Sequence, residues 1–267
     1  MESFRDRVAV VTGGGSGIGL ALAEGFAREG ARVVVADVEE SAATAVVEGI
    51  RARGGEALAL RVDVSDLGQV QALADRAFAH FGAVHVLCNN AGVALHGDLQ
   101  DMTHRDWEWV LGVNLWGVIH GLEAFLPRMI AQGQPGHVVN TASMAGLIAS
   151  QGLGVYNASK YAVEGISETL VKDLRPHGIG VSVLCPMGVS TRIRESARNR
   201  PSRLRNEDER SAAEVELIGK YLDPDTVAAM VLAAVRANRL YVITHDESLE
   251  PLRRRFQRLE QAIHDRA

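Results

Sequence analysis

A glycine-rich turn between a predicted strand and a predicted helix constrains this chain more than any other stretch. Residues 12–19 read TGGGSGIG; they follow the apolar run 8–11 and precede a helical pattern that begins at Leu20. Glycine tolerates positive φ and lets the phosphate groups of a ligand approach the backbone closely. A helix that begins at such a turn also directs free N–H groups at those phosphates. The pattern therefore predicts a strand, a tight turn and a helix that together bind a phosphate-bearing ligand.

A carboxylate at the end of the second predicted strand indicates which ligand this is. Residues 33–36 are apolar and Asp37 follows them, at about the twenty-residue spacing of the acid that accepts hydrogen bonds from the ribose hydroxyls of a dinucleotide. Its negative charge repels a 2′-phosphate, and the next residue, Val38, has no positive charge to offset that repulsion. We therefore expect the cofactor to be NAD rather than NADP.

Apolar strands alternate with helical patterns along most of the chain. The predicted strands are residues 8–11, 32–37, 57–64, 84–88, 137–143, 179–185 and 240–244. The predicted helices between them are residues 18–30, 39–53, a helix capped by Ser65 or Asp66, 106–131, 153–175 and 224–237. Strands that are apolar throughout and separated by helices are typical of a parallel sheet covered on both faces. The sequence thus predicts an α/β fold with a doubly wound sheet, whose ligands bind beyond the carboxyl ends of the strands.

We expect a single domain over residues 1–267, with two segments outside the alternation. Residues 190–220, approximately, are rich in arginine and too long for a simple connection, so they are predicted to be a substrate lid or a disordered segment. The arginines could bind an acidic substrate, or they could form an ordinary solvated face. Residues 247–264, approximately, carry apolar side chains at helical spacing and are predicted to form a terminal amphipathic helix.

Charge and cysteine content exclude several classes of function. The net charge of −5 argues against a general nucleic-acid-binding protein. Cys88 and Cys185 lie in apolar runs without metal-ligand spacing, so we expect buried thiols and no metal site. The first residues lack the apolar run of a signal peptide, and we expect no segment long enough to span a bilayer. The expected location is the cytoplasm, without a membrane partner.

Tyr156 and Lys160 are the pair most suited to chemistry. They lie four residues apart near the start of a predicted helix, so their side chains share a face. A neighbouring ammonium and a helix N-terminus both stabilise a phenolate, which predicts a lowered pKa for Tyr156 and a role as general acid or base. Ser143, at the end of the fifth predicted strand, could hold the same substrate oxygen. The alternative is that Tyr156 packs through its ring and Lys160 is solvated.

Asn114 is a polar residue on the apolar side of a predicted helix. Its helical neighbours are Val110, Leu111 and Val118. A buried amide without partners costs about 1–3 kcal/mol, so its side chain needs a hydrogen-bond partner. It is either a core asparagine bonded to the main chain or the anchor of a water that passes protons onward from Lys160.

Together these motifs resemble the classical short-chain dehydrogenase/reductases, over about residues 5–245. The resemblance is carried by the glycine turn, Asn89-Asn90-Ala91-Gly92, Asn114, Ser143 and Tyr156-Asn157-Ala158-Ser159-Lys160. It implies a Rossmann-type sheet of seven parallel strands in the order 3-2-1-4-5-6-7. It also implies a catalytic tetrad of Asn114, Ser143, Tyr156 and Lys160, in which Tyr156 is the acid or base.

The resemblance further implies where the cofactor binds. The implied contacts are Gly13, Ser16, Gly17, Ile18, Gly19, Asp37, Asp63, Val64, Asn90, Ala91, Gly92, Tyr156, Lys160, Pro186, Val189 and Thr191. Members of this family usually have Pro-Gly after the sixth strand, whereas this chain has Pro186-Met187, so we expect the loop to be reshaped there. Members commonly form tetramers through the helices that carry Asn114 and Tyr156, which implies a homo-oligomer, either a tetramer or a dimer.

The expected substrate is a small apolar molecule. Ser143, Met144, Leu153 and Met187 follow strand ends and are predicted to contact it, which favours a lipid, terpenoid, steroid or other cyclic compound. The leading hypothesis is an NAD-dependent oxidoreductase that interconverts a secondary alcohol and a ketone. One alternative is a reductase of 3-oxoacyl thioesters of acyl carrier protein or coenzyme A. A non-catalytic NAD(H)-binding sensor or scaffold is another.

Overall fold

Seven parallel strands form one sheet in the computed structural model, which describes residues 1–207 and 220–265. The strands are β1 (Val8–Thr12), β2 (Arg32–Asp37), β3 (Ala57–Arg61), β4 (Val86–Asn89), β5 (Gly136–Thr141), β6 (Ile179–Cys185) and β7 (Tyr241–Ile243). Their order is β3-β2-β1-β4-β5-β6-β7, and all neighbouring pairs are parallel. The predicted doubly wound sheet and its strand order are confirmed. The order reverses between β1 and β4, which is where such a sheet opens a crevice.

Helices cover both faces of the sheet. They are α1 (Gly17–Arg28), α2 (Glu40–Ala52), α3 (Leu67–Phe81), α4 (His104–Leu111), α5 (Gly117–Ala131), α6 (Gly154–Asp173), α7 (Pro224–Ala237) and α8 (Leu249–His264). A π-helical turn, Gly112–Trp116, joins α4 to α5 without a break. The predicted helix 106–131 is therefore one continuous stretch with a π-helical turn inside it.

The strands are buried on both faces because they are apolar along their whole length. In β1, Ala9 and Val11 belong to the core cluster that α1 and α7 cover, whereas Val8 and Val10 belong to the cluster against α3 and α5. All four side chains are fully buried. Such alternation is what a sheet between two helical layers requires. This packing fixes the carboxyl ends of the strands, where the crevice lies.

Several element boundaries differ from the sequence prediction because of local capping. The third strand ends at Arg61 rather than at residue 64. The helix expected to begin at residue 106 begins at His104, because Thr103 and Asp106 form a capping box in which each side chain accepts the other's backbone N–H. The N-cap of α3 is Asp66, whose carboxylate accepts the N–H of Gln69. Of the two predicted caps, Ser65 and Asp66, the second is therefore confirmed.

The stretch His104–Ala131 corrects the expectation that no segment is long enough to span a bilayer. By length and composition it could cross a membrane, and 44% of its most apolar window is buried inside the protein. Val110, Phe125 and Met129 are completely buried in the two halves of this stretch. Core helices that pack on a sheet satisfy the same length and composition test.

The two segments outside the alternation lie at the edges of the fold. The described part of the predicted lid contains two short 3₁₀ segments, Ile193–Asn199 and Ser202–Leu204. Residues 208–219 of that segment lie outside the described residues. The predicted terminal helix coincides with α8, which has no fully buried residue.

Candidate active site

The glycine turn after β1 leaves no room for side chains. Gly13 has a φ of +63°, and a Cβ there would lie 2.7 Å from the Cα of Ala91. A Cβ on Gly19 would lie 2.0 Å from the carbonyl oxygen of Gly13. Ser16 precedes α1 and makes no side-chain capping bond, so the first N–H groups of α1 are left to bind an anion. The turn thus has the shape and the polarity of a phosphate cradle.

Asp37 ends β2 at the rim of this cradle with its carboxylate already oriented. One oxygen accepts the N–H of Gly15 at 2.9 Å, and the other accepts the N–H of Glu39 at 2.9 Å. The residue is 9% exposed. Two backbone donors therefore fix the plane of the carboxylate and compensate its charge, while the remaining lone pairs can accept hydroxyl hydrogens.

Thr12 ties the glycine turn to the loop after β4. Its hydroxyl accepts the N–H groups of Asn90 and Ala91 at 3.0 and 3.1 Å and donates to the carbonyl of Cys88. The amide nitrogen of Asn90 donates back to the carbonyl of Thr12 at 3.0 Å. The ends of β1 and β4 are held together in this way, on either side of the switch point. Sequence reasoning missed this role of Thr12, although the residue opens the glycine motif.

Ser143, Tyr156 and Lys160 meet beyond the end of β5. The side chain of Ser143 lies close enough to the Tyr156 hydroxyl to act on its pKa, and the ammonium of Lys160 lies 5.6 Å from the centre of the Tyr156 ring. The same ammonium donates to the carbonyl of Thr141 at 2.8 Å, and Lys160 is 2% exposed. The alternative in which Lys160 is merely solvated is therefore wrong. The carbonyl of Pro186 accepts the Ser143 hydroxyl at 3.3 Å and so links β6 to this group.

Burial sets the proton affinities of the pair. Burial raises the pKa of Tyr156, while the neighbouring Ser143 side chain acts to lower it. The sequence prediction of a lowered Tyr156 pKa is wrong in direction, because the loss of water around the phenol outweighs its favourable contacts. Burial also lowers the pKa of Lys160 to about 8. Burial thus disfavours the charged form of each side chain.

Asn114 lies in the π-helical turn and is fully buried. Its side-chain oxygen accepts the N–H of Val93 at 2.8 Å, and its nitrogen donates to the carbonyl of Val93 at 2.9 Å and to the hydroxyl of Ser159 at 3.1 Å. Ser159 in turn donates to the carbonyl of Tyr156. The side chain thus makes the main-chain bonds of a core asparagine and connects the loop after β4 to α6. The water-anchoring role stays a prediction.

A cavity of about 590 Å³ joins the cradle to Tyr156. Predicted cofactor residues on its wall are Gly13, Ser16, Gly17, Ile18, Gly19, Asp37, Asp63, Val64, Asn90, Ala91, Gly92, Tyr156, Lys160, Pro186 and Thr191. Val189 is not on the wall; it is buried in the core beside α7 and pairs with Leu222. The fold therefore brings nearly all of the predicted cofactor residues to one cavity.

The predicted substrate residues are placed differently. Met144 is buried in a core cluster with Val183 and Cys185, and Met187 packs against that cluster instead of lining the cavity. Leu153 is buried at the start of α6 and pairs with Gly97. Positive φ among described non-glycine residues occurs at Asp6 and Asn238, so Met187 takes an ordinary backbone conformation and does not strain its loop.

The described part of the lid is fastened to both sides of the cavity. Arg200 forms an ion pair with Asp106 at 2.7 Å, with both side chains largely buried, and its guanidinium lies 5.0 Å from the ring centre of Trp109. On the other side, Arg198 and Asn199 bind the carboxylate of Glu39 at 3.0 and 2.8 Å. The lid therefore crosses the cavity mouth, from the helix α4 to the turn after β2. These pairings join residues far apart in the sequence, so no local sequence pattern predicts them.

Glu164 is a buried carboxylate one helical turn beyond Lys160. It is 5% exposed; one oxygen receives a long hydrogen bond from the thiol of Cys185, and the other has no partner among the described residues. Burial raises the pKa of Glu164 to about 7, and the charge of Glu168 acts in the same direction. At neutral pH this residue is therefore poised between its protonated and ionised forms.

Replacing Glu164 by glutamine should remove a pH dependence of stability. A carboxyl whose pKa is raised on folding binds more protons in the native state, so stability is lost as pH rises from about 4.5 to about 7. We expect Glu164→Gln to be more stable than wild type at about pH 8, by about 2–3 kcal/mol, and to show a flatter profile below that. Urea unfolding across this pH range measures the free energy of unfolding of both proteins. Replacement of an exposed glutamate, Glu123→Gln, is the matched control. Parallel profiles for wild type and Glu164→Gln would contradict the assignment.

Comparisons with known proteins agree with this geometry. The family model described as short chain dehydrogenase matches residues 7–202. A crystal structure of a short-chain dehydrogenase/reductase from Burkholderia phymatum in complex with NAD is 43% identical, with a TM-score of 0.93, covering 98% of this chain and 97% of that one.

Two curated relatives carry names of dehydrogenases. The C alpha-dehydrogenase of Sphingobium sp. strain SYK-6 is 37% identical over 98% of this chain and 88% of its own length. The 1-deoxy-11-beta-hydroxypentalenate dehydrogenase of Streptomyces exfoliatus is 36% identical over 95% of this chain and 88% of its own length. With the family model, the sheet order and this degree of identity in agreement, the chain belongs to the short-chain dehydrogenase/reductase family of oxidoreductases.

Proposed function

We propose that this protein is an NAD-dependent oxidoreductase that interconverts a secondary alcohol and a ketone on an apolar, ring-containing substrate. The observation that carries the proposal is the position of Tyr156. Its hydroxyl lies near Ser143, its ring lies beside the buried Lys160, and it shares one cavity with the glycine cradle and Asp37. This arrangement supports a role for Tyr156 as the acid or base in a site whose other end suits a dinucleotide.

The residues present fit NAD. Cβ atoms at Gly13 and Gly19 would collide with Ala91 and with the Gly13 carbonyl, so only glycine permits this tight turn, which suits a pyrophosphate. Asp37, oriented by Gly15 and Glu39, suits the two hydroxyls of an adenosine ribose and opposes a 2′-phosphate. The NAD complex of the Burkholderia relative supports the same choice.

The catalytic residues divide the chemistry between them. When bound, the nicotinamide ring supplies the hydride acceptor, or the donor in the reverse direction. In alcohol oxidation Tyr156 takes the hydroxyl proton as the carbinol carbon loses hydride, and in ketone reduction it returns that proton. Ser143 holds the substrate oxygen as its charge changes. Lys160, whose ammonium lies 5.6 Å from the centre of the Tyr156 ring, acts as the counter-ion of the phenolate.

Apolar and aromatic side chains line part of the cavity, beside the charged Glu108 and Arg203. Val93, Trp107, Trp109, Ile193 and Leu204 lie on its wall. Such surfaces suit flat or cyclic hydrocarbon groups, and they replace Met144, Leu153 and Met187 as the main substrate contacts. The name of the Streptomyces relative, a hydroxypentalenate dehydrogenase, is compatible with a cyclic secondary alcohol.

A panel of secondary alcohols and ketones tests the proposal, with NAD and NADP in parallel and absorbance of the reduced cofactor as the readout. We expect turnover of bulky cyclic alcohols with NAD and much less with NADP. If the enzyme preferred 3-oxoacyl thioesters, these would replace cyclic secondary alcohols as the proposed substrate class. Tight NAD binding without turnover of any compound would contradict the enzymatic role.

Releasing the lid from Glu39 should speed cofactor dissociation. Arg198 and Asn199 share the Glu39 carboxylate directly beside Asp37, so the lid is fastened over the adenosine end. The pair is about one-third exposed, so we expect Glu39→Gln to raise the NADH dissociation rate only about threefold to tenfold. Stopped-flow fluorescence measures that rate. Glu29→Gln, which loses an ion pair of similar exposure with Arg236 outside the lid and the cavity, is the control. Equal rates in Glu39→Gln and wild type would exclude this fastening.

A further inference from the structure

Most of an apolar stripe on α8 is used neither by the fold nor by the catalytic site. Leu249, Leu252, Phe256, Leu259 and Ile263 recur at intervals of three and four residues. Apart from Leu252, these side chains are between 50% and 59% exposed. This is the spacing by which one helix packs along another, with two positions in every seven at the contact.

The rest of the protein covers only the beginning of this helix. Leu252 packs against the cluster that contains Val183 and Cys185, and the guanidinium of Arg255 lies 5.6 Å from the ring centre of Tyr161. Every residue from 256 to 265 is exposed. A helix of this length is only marginally stable alone in water. A second surface must therefore cover the stripe for the helix to be well populated.

The charges beside the stripe indicate what that surface is. Arg253 and Glu260 are seven residues apart and lie on the same flank of the stripe, opposite the flank where Arg255 meets the protein. Two helical turns, about 10 Å, separate them, so they cannot pair within one helix. Neither forms an ion pair with any residue in the described part of the chain. A positive and a negative side chain are thus presented together on an open flank.

We propose that α8 pairs antiparallel with α8 of a second copy of this chain. Antiparallel packing about a two-fold axis brings equal flanks together. When Phe256 packs against Leu259 of the second copy, Arg253 lies opposite Glu260 of that copy, and symmetry repeats the pair. Four arginines at 253–255 and 258 make α8 basic, so a lipid surface is the competing partner. Glu260 borders the stripe, and its position opposite Arg253 of a second copy favours pairing of two helices instead. The contact is separate from any pairing through α5 and α6, and it does not depend on the proposed activity.

A charge exchange in the full-length protein tests the pairing. Analytical ultracentrifugation compares wild type, Arg253→Glu, Glu260→Arg and the variant that carries both changes. We expect each single change to weaken one association step at least about tenfold, because like charges then face each other. The double variant restores opposite charges and should return to within about threefold of wild type. The proposal would be overturned if the double variant associated as weakly as the single variants. It would also be overturned if none of these changes altered any association step of the wild-type protein.

Cross-linking tests the direction of the pairing independently. Cys88 and Cys185 are buried, so cysteines introduced on α8 are the accessible ones among the described residues. Arg253→Cys combined with Glu260→Cys should form disulfides between two chains on oxidation, since about 10 Å separates the positions within one helix. Either single variant should stay uncross-linked. Efficient cross-linking by both single variants, or cosedimentation of the uncross-linked wild type with phosphatidylcholine–phosphatidylglycerol vesicles, would overturn the antiparallel pair.

Discussion

Replacing Tyr156 by phenylalanine should lower kcat for the accepted alcohol by about 10²–10⁴-fold, the usual contribution of a positioned acid or base. Phenylalanine keeps the ring that lies beside Lys160 and removes only the hydroxyl that lies near Ser143. Cofactor affinity should change little, since the cradle and Asp37 are untouched. Steady-state turnover and NADH titration measure the two quantities separately.

Tyr161→Phe is the matched control for this change. Tyr161 is on the same helix, five residues further on, and its ring contacts Arg255 rather than the cavity. It should keep wild-type kcat. Near wild-type turnover in Tyr156→Phe, or an equal loss in both variants, would remove Tyr156 from the chemistry.

Replacing Asp37 by asparagine should reverse much of the discrimination between the two cofactors. The carboxylate would lose charge-assisted hydrogen bonds to the ribose, each worth about 1.5–3 kcal/mol, so kcat/KM for NAD should fall on the order of 10²-fold. Removal of the charge should raise kcat/KM for NADP at the same time. Kinetics with both cofactors on one alcohol measure the change.

Asp63→Asn is the control for net charge. Asp63 lies on the same cavity wall, but its carboxylate already accepts the N–H and hydroxyl of Ser65. This change should leave the ratio of NAD to NADP activity near that of wild type. An unchanged ratio of NAD to NADP activity in Asp37→Asn would show that the carboxylate does not recognise the ribose hydroxyls.

The fold was predictable because its signals are local and repeated. Apolar strands such as residues 8–11 and the glycine turn that follows identify a strand, a turn and a helix without any tertiary information. Parallel strands bring their carboxyl ends to one edge, so Asp37 and Asn90 were expected in the same crevice. Both lie on one cavity wall in the structure.

What the sequence did not reveal depends on packing in three dimensions. The net pKa shift of Tyr156 follows from how much water surrounds it, which the spacing to Lys160 does not express. Met144 and Met187 follow strand ends, yet their side chains pack into a core cluster away from the cavity. The Arg198–Glu39 pair spans 159 residues of sequence, and only the fold brings its members together.

Transfer of an isotope label tests the central claim most directly. A secondary alcohol with deuterium on its carbinol carbon is incubated with the enzyme and NAD, and mass spectrometry follows the label. If the cavity holds substrate and NAD side by side and Tyr156 takes the hydroxyl proton, one deuterium appears in the reduced cofactor. The same label should be nearly absent with Tyr156→Phe. Alcohol consumption without label in the cofactor, or equal transfer by wild type and Tyr156→Phe, would contradict the account.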